Sequence, residues 1–234
     1  MRRLAIIPAR GNSKGIPNKN LQQIGGQSLV YRAVRVAQEA GIFSLVHVST
    51  DSSQIVEHLQ EEGFDVPFLR NHKTSTDEAP TSAVVDEVLK VLSNRGELFD
   101  SITVLEPTCP LRTIEDVCRT ASAAEDDPFD AALSVSPVPS HYHASKQISM
   151  TQDGTALQSS GGEPVTASPP RQLLEPTFIR NGAAYSVQVQ AFQATRSLMG
   201  KRACGIVISR PVVNIDTPED LVEAEKVYSS LGST

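Results

Sequence analysis

The chain has 234 residues, with 39% hydrophobic and 21% charged side chains, which suits one α/β domain with a real core and excludes a disordered or fibrous polymer. Its formal net charge of −6 excludes a general basic field for nucleic acid or anionic lipid, although a local site can still take an anion. No run approaches the roughly 20 apolar residues of a membrane span, and Met1–Pro8 is too short for a secretory signal. Cys109, Cys118 and Cys204 are odd in number and lack CxxC spacing, so reduced thiols in a cytoplasm are expected.

Leu4–Ile7 reads as a short buried strand. It runs into a polar loop, Ala9-Arg10-Gly11-Asn12-Ser13-Lys14-Gly15-Ile16-Pro17-Asn18-Lys19-Asn20. Leu29, Ala33, Val36 and Ala37 recur at helical spacing over 28–40, and Gly41 stops them. Leu45–Ser49 is a second strand leading to Thr50-Asp51, and Ile55, Val56 and Leu59 predict a helix closing at Gly63. Phe64–Leu69 is expected as a third strand. Val84, Val85, Val88, Leu89 and Leu92 predict a helix over 82–95, ended at Gly96. Ile102–Leu105 is a fourth strand entering Glu106-Pro107-Thr108-Cys109-Pro110-Leu111-Arg112, followed by a helix around Val117 and a strand near Ala132–Val135.

Such alternation implies a mainly parallel, doubly wound sheet, whose ligands lie beyond the carboxyl ends of the strands. The polar loops at 10–20, at Asp51 and at 106–112 all fall there. From Pro137 to about Pro176 the chain is rich in Ser, Pro, Gly, Gln and Thr, without periodicity. Strands are expected again at Ala183–Val189 and Gly205–Ser209, so one domain over 1–234 carries a hairpin-rich excursion at about 137–180. The last helix starts at Thr217-Pro218, with Asp220 placed for a capping box.

The loop at 10–20 carries three cations, Arg10, Lys14 and Lys19, directly after a strand. Backbone N–H groups and cationic side chains in such a loop can share a polyphosphate's charge. It is neither a Walker A loop nor GxGxxG. Asp216 is a carboxylate between a buried run and a helix, able to hold a divalent cation or to cap that helix.

Residues 7–21 resemble the N-terminal signature of CMP-sialic acid synthetases. The resemblance continues through Val48-Ser49-Thr50-Asp51, Pro107–Arg112, Asn181-Gly182-Ala183-Ala184-Tyr185 and Ile215–Leu221, in family order. It implies a Rossmann-like nucleotidyltransferase fold and a cytosolic homodimer built by the excursion. The implied reaction joins CTP to an acidic nine-carbon sugar with Mg²⁺, releasing pyrophosphate, with no nucleic-acid or membrane partner. By resemblance Arg10, Ser13 and Lys19 hold the triphosphate, Asn20 the nucleotide, and Arg70 with Thr81 the cytosine. Arg10, Lys19 and Asp216 form the catalytic set. Glu106, Arg171, Gln172, Asn181 and Tyr185 meet the sugar, with Arg180 a further cation offset by one position. Asp216 and Asn214 hold the metal.

Two positions depart from the family pattern: Asn214, where Asp is common, and Glu106, where Gln is usual. A Kdo-type acceptor and a non-catalytic nucleotide-binding regulator are the competing readings, and Asn214 alone favours the second.

Overall fold

The computed structural model describes residues 1–76, 78–159, 161–167 and 169–231. Its core is a six-stranded sheet. Strand β1 (Arg3–Pro8) is followed by two short strands, β2 (Gln23–Ile24) and β3 (Gln27–Ser28), which pair as a hairpin beside the sheet. Helix α1 (Leu29–Glu39), β4 (Leu45–Ser49), α2 (Ser53–Glu61), α3 (Thr81–Asn94), β5 (Ser101–Val104), α4 (Ile114–Ala123) and β6 (Ala131–Pro137) then alternate. The excursion contributes the hairpin β7 (Ile148–Met150) and β8 (Ala156–Gln158). The chain returns through β9 (Phe178–Gln188), α5 (Val189–Thr195), β10 (Ala203–Val207) and α6 (Pro218–Leu231).

The sheet order is β10-β6-β9-β5-β1-β4. β1 lies parallel to both β4 and β5, and β10 parallel to β6, whereas β9 inserts antiparallel between β5 and β6. Period-two alternation along β1 fills two cores. Ala5 and Ile7 pack with Val30, Val34, Ile55 and Leu59 of α1 and α2. Leu4 and Ile6 pack with Val85, Val88 and Leu92 of α3 and with Phe192 of α5. A third cluster of Ile16, Ile24, Leu29, Leu111, Val213, Ile215 and Ala224 ties the 10–20 loop, the segment after β5 and α6 into one floor.

Phe64–Leu69, expected as a strand, is irregular. Pro67 lacks the N–H a ladder requires, and β4, the sheet edge beside this segment, pairs only with β1 among the described residues. The segment is held instead by Phe64 N–H donating to Leu59 O (2.8 Å) and Arg70 N–H donating to Thr50 O (2.7 Å). The antiparallel β9 is the other departure from the simple alternation. No helix among the described residues is long and apolar enough to cross a membrane.

Candidate active site

One cleft at the carboxyl ends of β1, β4 and β5 is lined by Arg10, Ser13, Lys19, Asn20, Arg70, Thr81, Glu106, Asn214 and Asp216. Nine of the residues proposed from sequence therefore share one surface. Pro8, Thr74, Thr76, Ala79, Val84, Pro107 and Thr108 complete it.

The basic loop is fastened at several points. Gly11 N–H donates to Asp51 Oδ1 at 2.8 Å, fastening the loop to the end of β4. Asn20 Nδ2 donates to the Arg10 carbonyl at 2.8 Å, so the amide expected to meet nucleotide braces the loop that surrounds it. Ile16 is buried in the apolar floor. Gly15 packs so tightly on the segment before α6 that an added Cβ would lie 2.6 Å from the Asp216 carbonyl oxygen. Only glycine allows that approach.

Lys19 Nζ donates to both Ile215 O and Asp216 Oδ1, each at 3.0 Å. Asp216 does not cap α6. Thr217 does, its Oγ1 accepting from Asp220 N–H at 3.3 Å, and Asp220 closes the capping box by accepting from Thr217 N–H at 2.7 Å and from Asp216 N–H at 2.9 Å. The Asp216 side chain therefore remains directed at the cleft, paired with Lys19.

At the opposite end Arg70 is buried, with Nε donating to Ser49 Oγ at 3.0 Å and Nη2 to Ser49 O at 2.5 Å. Burial lowers its pKa, while Asp51 and Glu87 oppose that shift by favouring the charged form. Thr81 is the first residue of α3, after Pro80 at the cap position. Thr81 is thus not the cap residue, and it lines the cleft.

Glu106 follows β5. Burial raises its carboxyl pKa, with Arg112, Lys19 and Arg180 opposing and Asp216 reinforcing the rise. Arg112, fully inside the protein, carries the strand end: its Nε donates to Ala183 O at 2.8 Å and its Nη2 to the Glu106 carbonyl. Below Glu106 lies Gly182 with φ +75°; a Cβ there would meet Glu106 Oε2 at 3.0 Å and Asn214 Oδ1 at 3.7 Å. These two oxygens thus converge over one small cradle.

Of the expected sugar contacts, Glu106 lines the cleft and the other four separate into three groups. Asn181 is buried, its Oδ1 accepting from Ser134 Oγ (2.6 Å) and Ala183 N–H (3.2 Å) and its Nδ2 donating to Ser136 Oγ (3.0 Å). It is a brace that shapes the Gly182 turn and does not line the cleft. Tyr185 stands opposite Val104 and Leu133 and packs on the core. Burial, with Glu106 adding to it, pushes its hydroxyl up to about 12. Arg171 and Gln172 lie exposed in the short turn Arg171–Leu173, outside the cleft lining. The sequence offered no signal for Thr74, Thr76 and Ala79, which line the cleft at the end where Arg70 lies.

The cytidylyltransferase family model matches residues 4–161. The chain belongs to the cytidylyltransferase family. It is similar to the pseudaminic acid cytidylyltransferase of Campylobacter jejuni, 37% identical over 121 residues covering 52% of each chain. It is also similar to the CMP-N,N'-diacetyllegionaminic acid synthase of Legionella pneumophila, 34% identical over 59% of each chain. Against the N-acylneuraminate cytidylyltransferase of Streptococcus agalactiae it is 26% identical over 95% of this chain and 52% of that one. The chain spans about half the length of the curated relatives it matches.

In fold, this cytidylyltransferase-family chain matches a CMP:2-keto-3-deoxy-manno-octonic acid synthetase complexed with CTP, at TM-score 0.68 and 19% identity over 100% and 99% of the two chains. A 4-diphosphocytidyl-2C-methyl-D-erythritol synthase from Anaerococcus prevotii matches at TM-score 0.65 and 14% identity over 97% and 98%. At those identities the likeness establishes the α/β fold with its mainly parallel sheet.

Proposed function

We propose that this chain is a cytidylyltransferase that activates an acidic nine-carbon sugar of the sialic, pseudaminic or legionaminic type with CTP. The observation that carries the reading is the layout of one cleft: a buried Arg70 with Thr81 at one end, the Arg10–Asn20 loop in the middle, and Glu106, Asn214 and Asp216 at the other. That order suits a base, a triphosphate and a sugar laid along the strand ends. The sugar's anomeric oxygen bonds the α-phosphorus, the bond to the β-phosphate oxygen breaks, pyrophosphate leaves and the hydroxyl proton is released. Phosphoryl transfer asks the protein mainly to position groups and to neutralise charge. Arg10, Ser13 and Lys19 do this for the triphosphate, with Lys19 fixed by its bonds to Ile215 and Asp216.

The donor set at the far end fits Mg²⁺, a hard cation that takes one or two carboxylates and otherwise water and phosphate oxygens. Asp216 and Asn214 would hold it, and the cradle over Gly182, left empty of any Cβ, brings Glu106 Oε2 beside Asn214 Oδ1. When bound, Mg²⁺ supplies neutralisation of phosphate charge. Lys19, by contrast, is this chain's own cation at Asp216.

We read the assembly as a homodimer in the cytoplasm. Supporting the dimer, Tyr142, Ile148, Met150, Leu173, Phe178 and Ile179 are all exposed on or beside the excursion, and a second copy would cover apolar side chains of that kind. A second copy would also give the exposed Arg171 and Gln172 a setting that their own cleft does not.

The test is pyrophosphate release with CTP, Mg²⁺ and a panel of nonulosonic acids plus an eight-carbon keto acid, with Asp216→Ala beside it. Release with a nonulosonic acid, lost in Asp216→Ala, is expected. CTP binding without release from any acid would overturn the proposal in favour of a nucleotide-binding regulator, and release only with the eight-carbon acid would move the substrate class.

A further inference from the structure

We infer that Glu87 is a positioning residue that sets the nucleotide end of the cleft, an inference that rests on the CTP reading above. The segment after Arg70 lines that end with three of its residues, Thr74, Thr76 and Ala79. It has almost no core of its own: His72, Lys73 and the turn around them bury nothing. What holds such a rim must be polar and directional.

One carboxylate from outside the segment does this. Glu87 Oε1 accepts from the Asn71 backbone N–H at 2.6 Å, and Oε2 accepts from the Thr74 hydroxyl. The remaining tethers among the described residues are local, with Asn71 O accepting from Ser75 Oγ and Asn71 Oδ1 accepting from Lys73 N–H. They shape the turn without tying it to the domain. Glu87 alone among these side chains comes from the packed body, on α3. Helical periodicity explains why it can: Thr81, Val84 and Glu87 succeed one another three residues apart, so one helix stripe presents two side chains to the cleft and the third to its rim.

Charge gives the same residue a second role. Arg70 is buried and hydrogen-bonded to Ser49 but has no ion pair among the described residues. Glu87 is one of the two acids whose field favours its charged form. Removing the carboxylate therefore loosens the rim and weakens the field on the arginine it adjoins, without touching the residues at the Asp216 end.

Glu87→Ala should raise KM for CTP at least fivefold while kcat, measured at saturating CTP, changes less than twofold. Kd for CTP without sugar should rise in parallel. Glu87→Gln keeps a carbonyl for Asn71 N–H and an amide that the Thr74 hydroxyl can meet, so it should fall between wild type and Glu87→Ala. That graded recovery is what a merely structural role would not produce. Hydrogen exchange at the 71–76 amides, read without nucleotide, should quicken in Glu87→Ala. Unchanged KM and Kd in Glu87→Ala, with or without faster exchange, would overturn the inference and leave the functional proposal standing. Wild-type protein that binds no CTP would instead overturn that proposal.

Discussion

Gly182→Ala separates backbone strain from site chemistry, because Gly63→Ala provides a matched control. Gly182 sits at φ +75° and Gly63 at φ +78°. An alanine pays about 1–2 kcal/mol to hold that left-handed conformation at either position. For a domain of this size that is a loss of about 2–8 °C in Tm. The surroundings differ: nothing lies within 4 Å of a Cβ at Gly63, whereas at Gly182 it would press on Glu106 Oε2 at 3.0 Å and Asn214 Oδ1 at 3.7 Å.

Both variants should therefore melt earlier by similar amounts, but only Gly182→Ala should lose activity. The loss in pyrophosphate release should be about tenfold or more, since displacements on the ångström scale cost that much in a positioned site. Thermal unfolding paired with pyrophosphate release at a temperature where both are folded makes the comparison. Wild-type rates from Gly182→Ala, or an equal loss in Gly63→Ala, would refute the placement of the cation and sugar end over Gly182.

Glu106→Gln keeps the shape of the strand end but removes its charge; the preferred sugar in a competition between nonulosonic acids should change, and an unchanged order would remove Glu106 from sugar selection. His47 is fully buried and stacked on Phe68 at 4.2 Å between ring centroids, with neither ring nitrogen hydrogen-bonded. Burial, then the Arg70 and Arg95 charges, lowers its pKa to about 4. Because the folded state holds it neutral, its contribution is complete above the unfolded pKa near 6.5 and is lost as pH falls toward 4, by up to about 3 kcal/mol. His47→Phe should flatten that acid slope in urea-unfolding midpoints between pH 7 and 5. Finally, Leu173→Asp with Ile179→Asp should convert a dimer to monomer in sedimentation experiments, whereas an unchanged mass would leave the exposed apolar face without a second copy.

Much was legible in the sequence because it is written in short range. The 3.6-residue stripes of α1 and α3 and the Thr217-Pro218-Asp220 start of α6 are local patterns, and these three helices begin within a residue or two of their expected places. The basic loop declared itself because three cations and two close-approach glycines after a strand have little use in a core. Arg10, Lys19 and Asp216 were nameable from neighbouring residues, whereas Ser13, Arg70, Thr81, Glu106 and Asn214 came from the resemblance alone. That they share a cleft follows from strands β1, β4 and β5 lying adjacent and parallel, so that their ends open on one side.

Other features depend on partners distant in the chain. Phe64–Leu69 has a strand's composition, but Pro67 and its place beside the sheet edge leave it irregular. β9 is antiparallel because the excursion brings the chain back from the cleft end of the sheet, a matter of where it returns and not of its own residues. The choice between capping and cleft for Asp216 and Thr81 turned on which neighbour took the cap position, Thr217 in one case and Pro80 in the other. Asn181 and Glu87 show the same limit. A sequence names a polar side chain, but only the fold decides whether its hydrogen bonds go to substrate, to a turn beneath it, or to a rim reached from another helix.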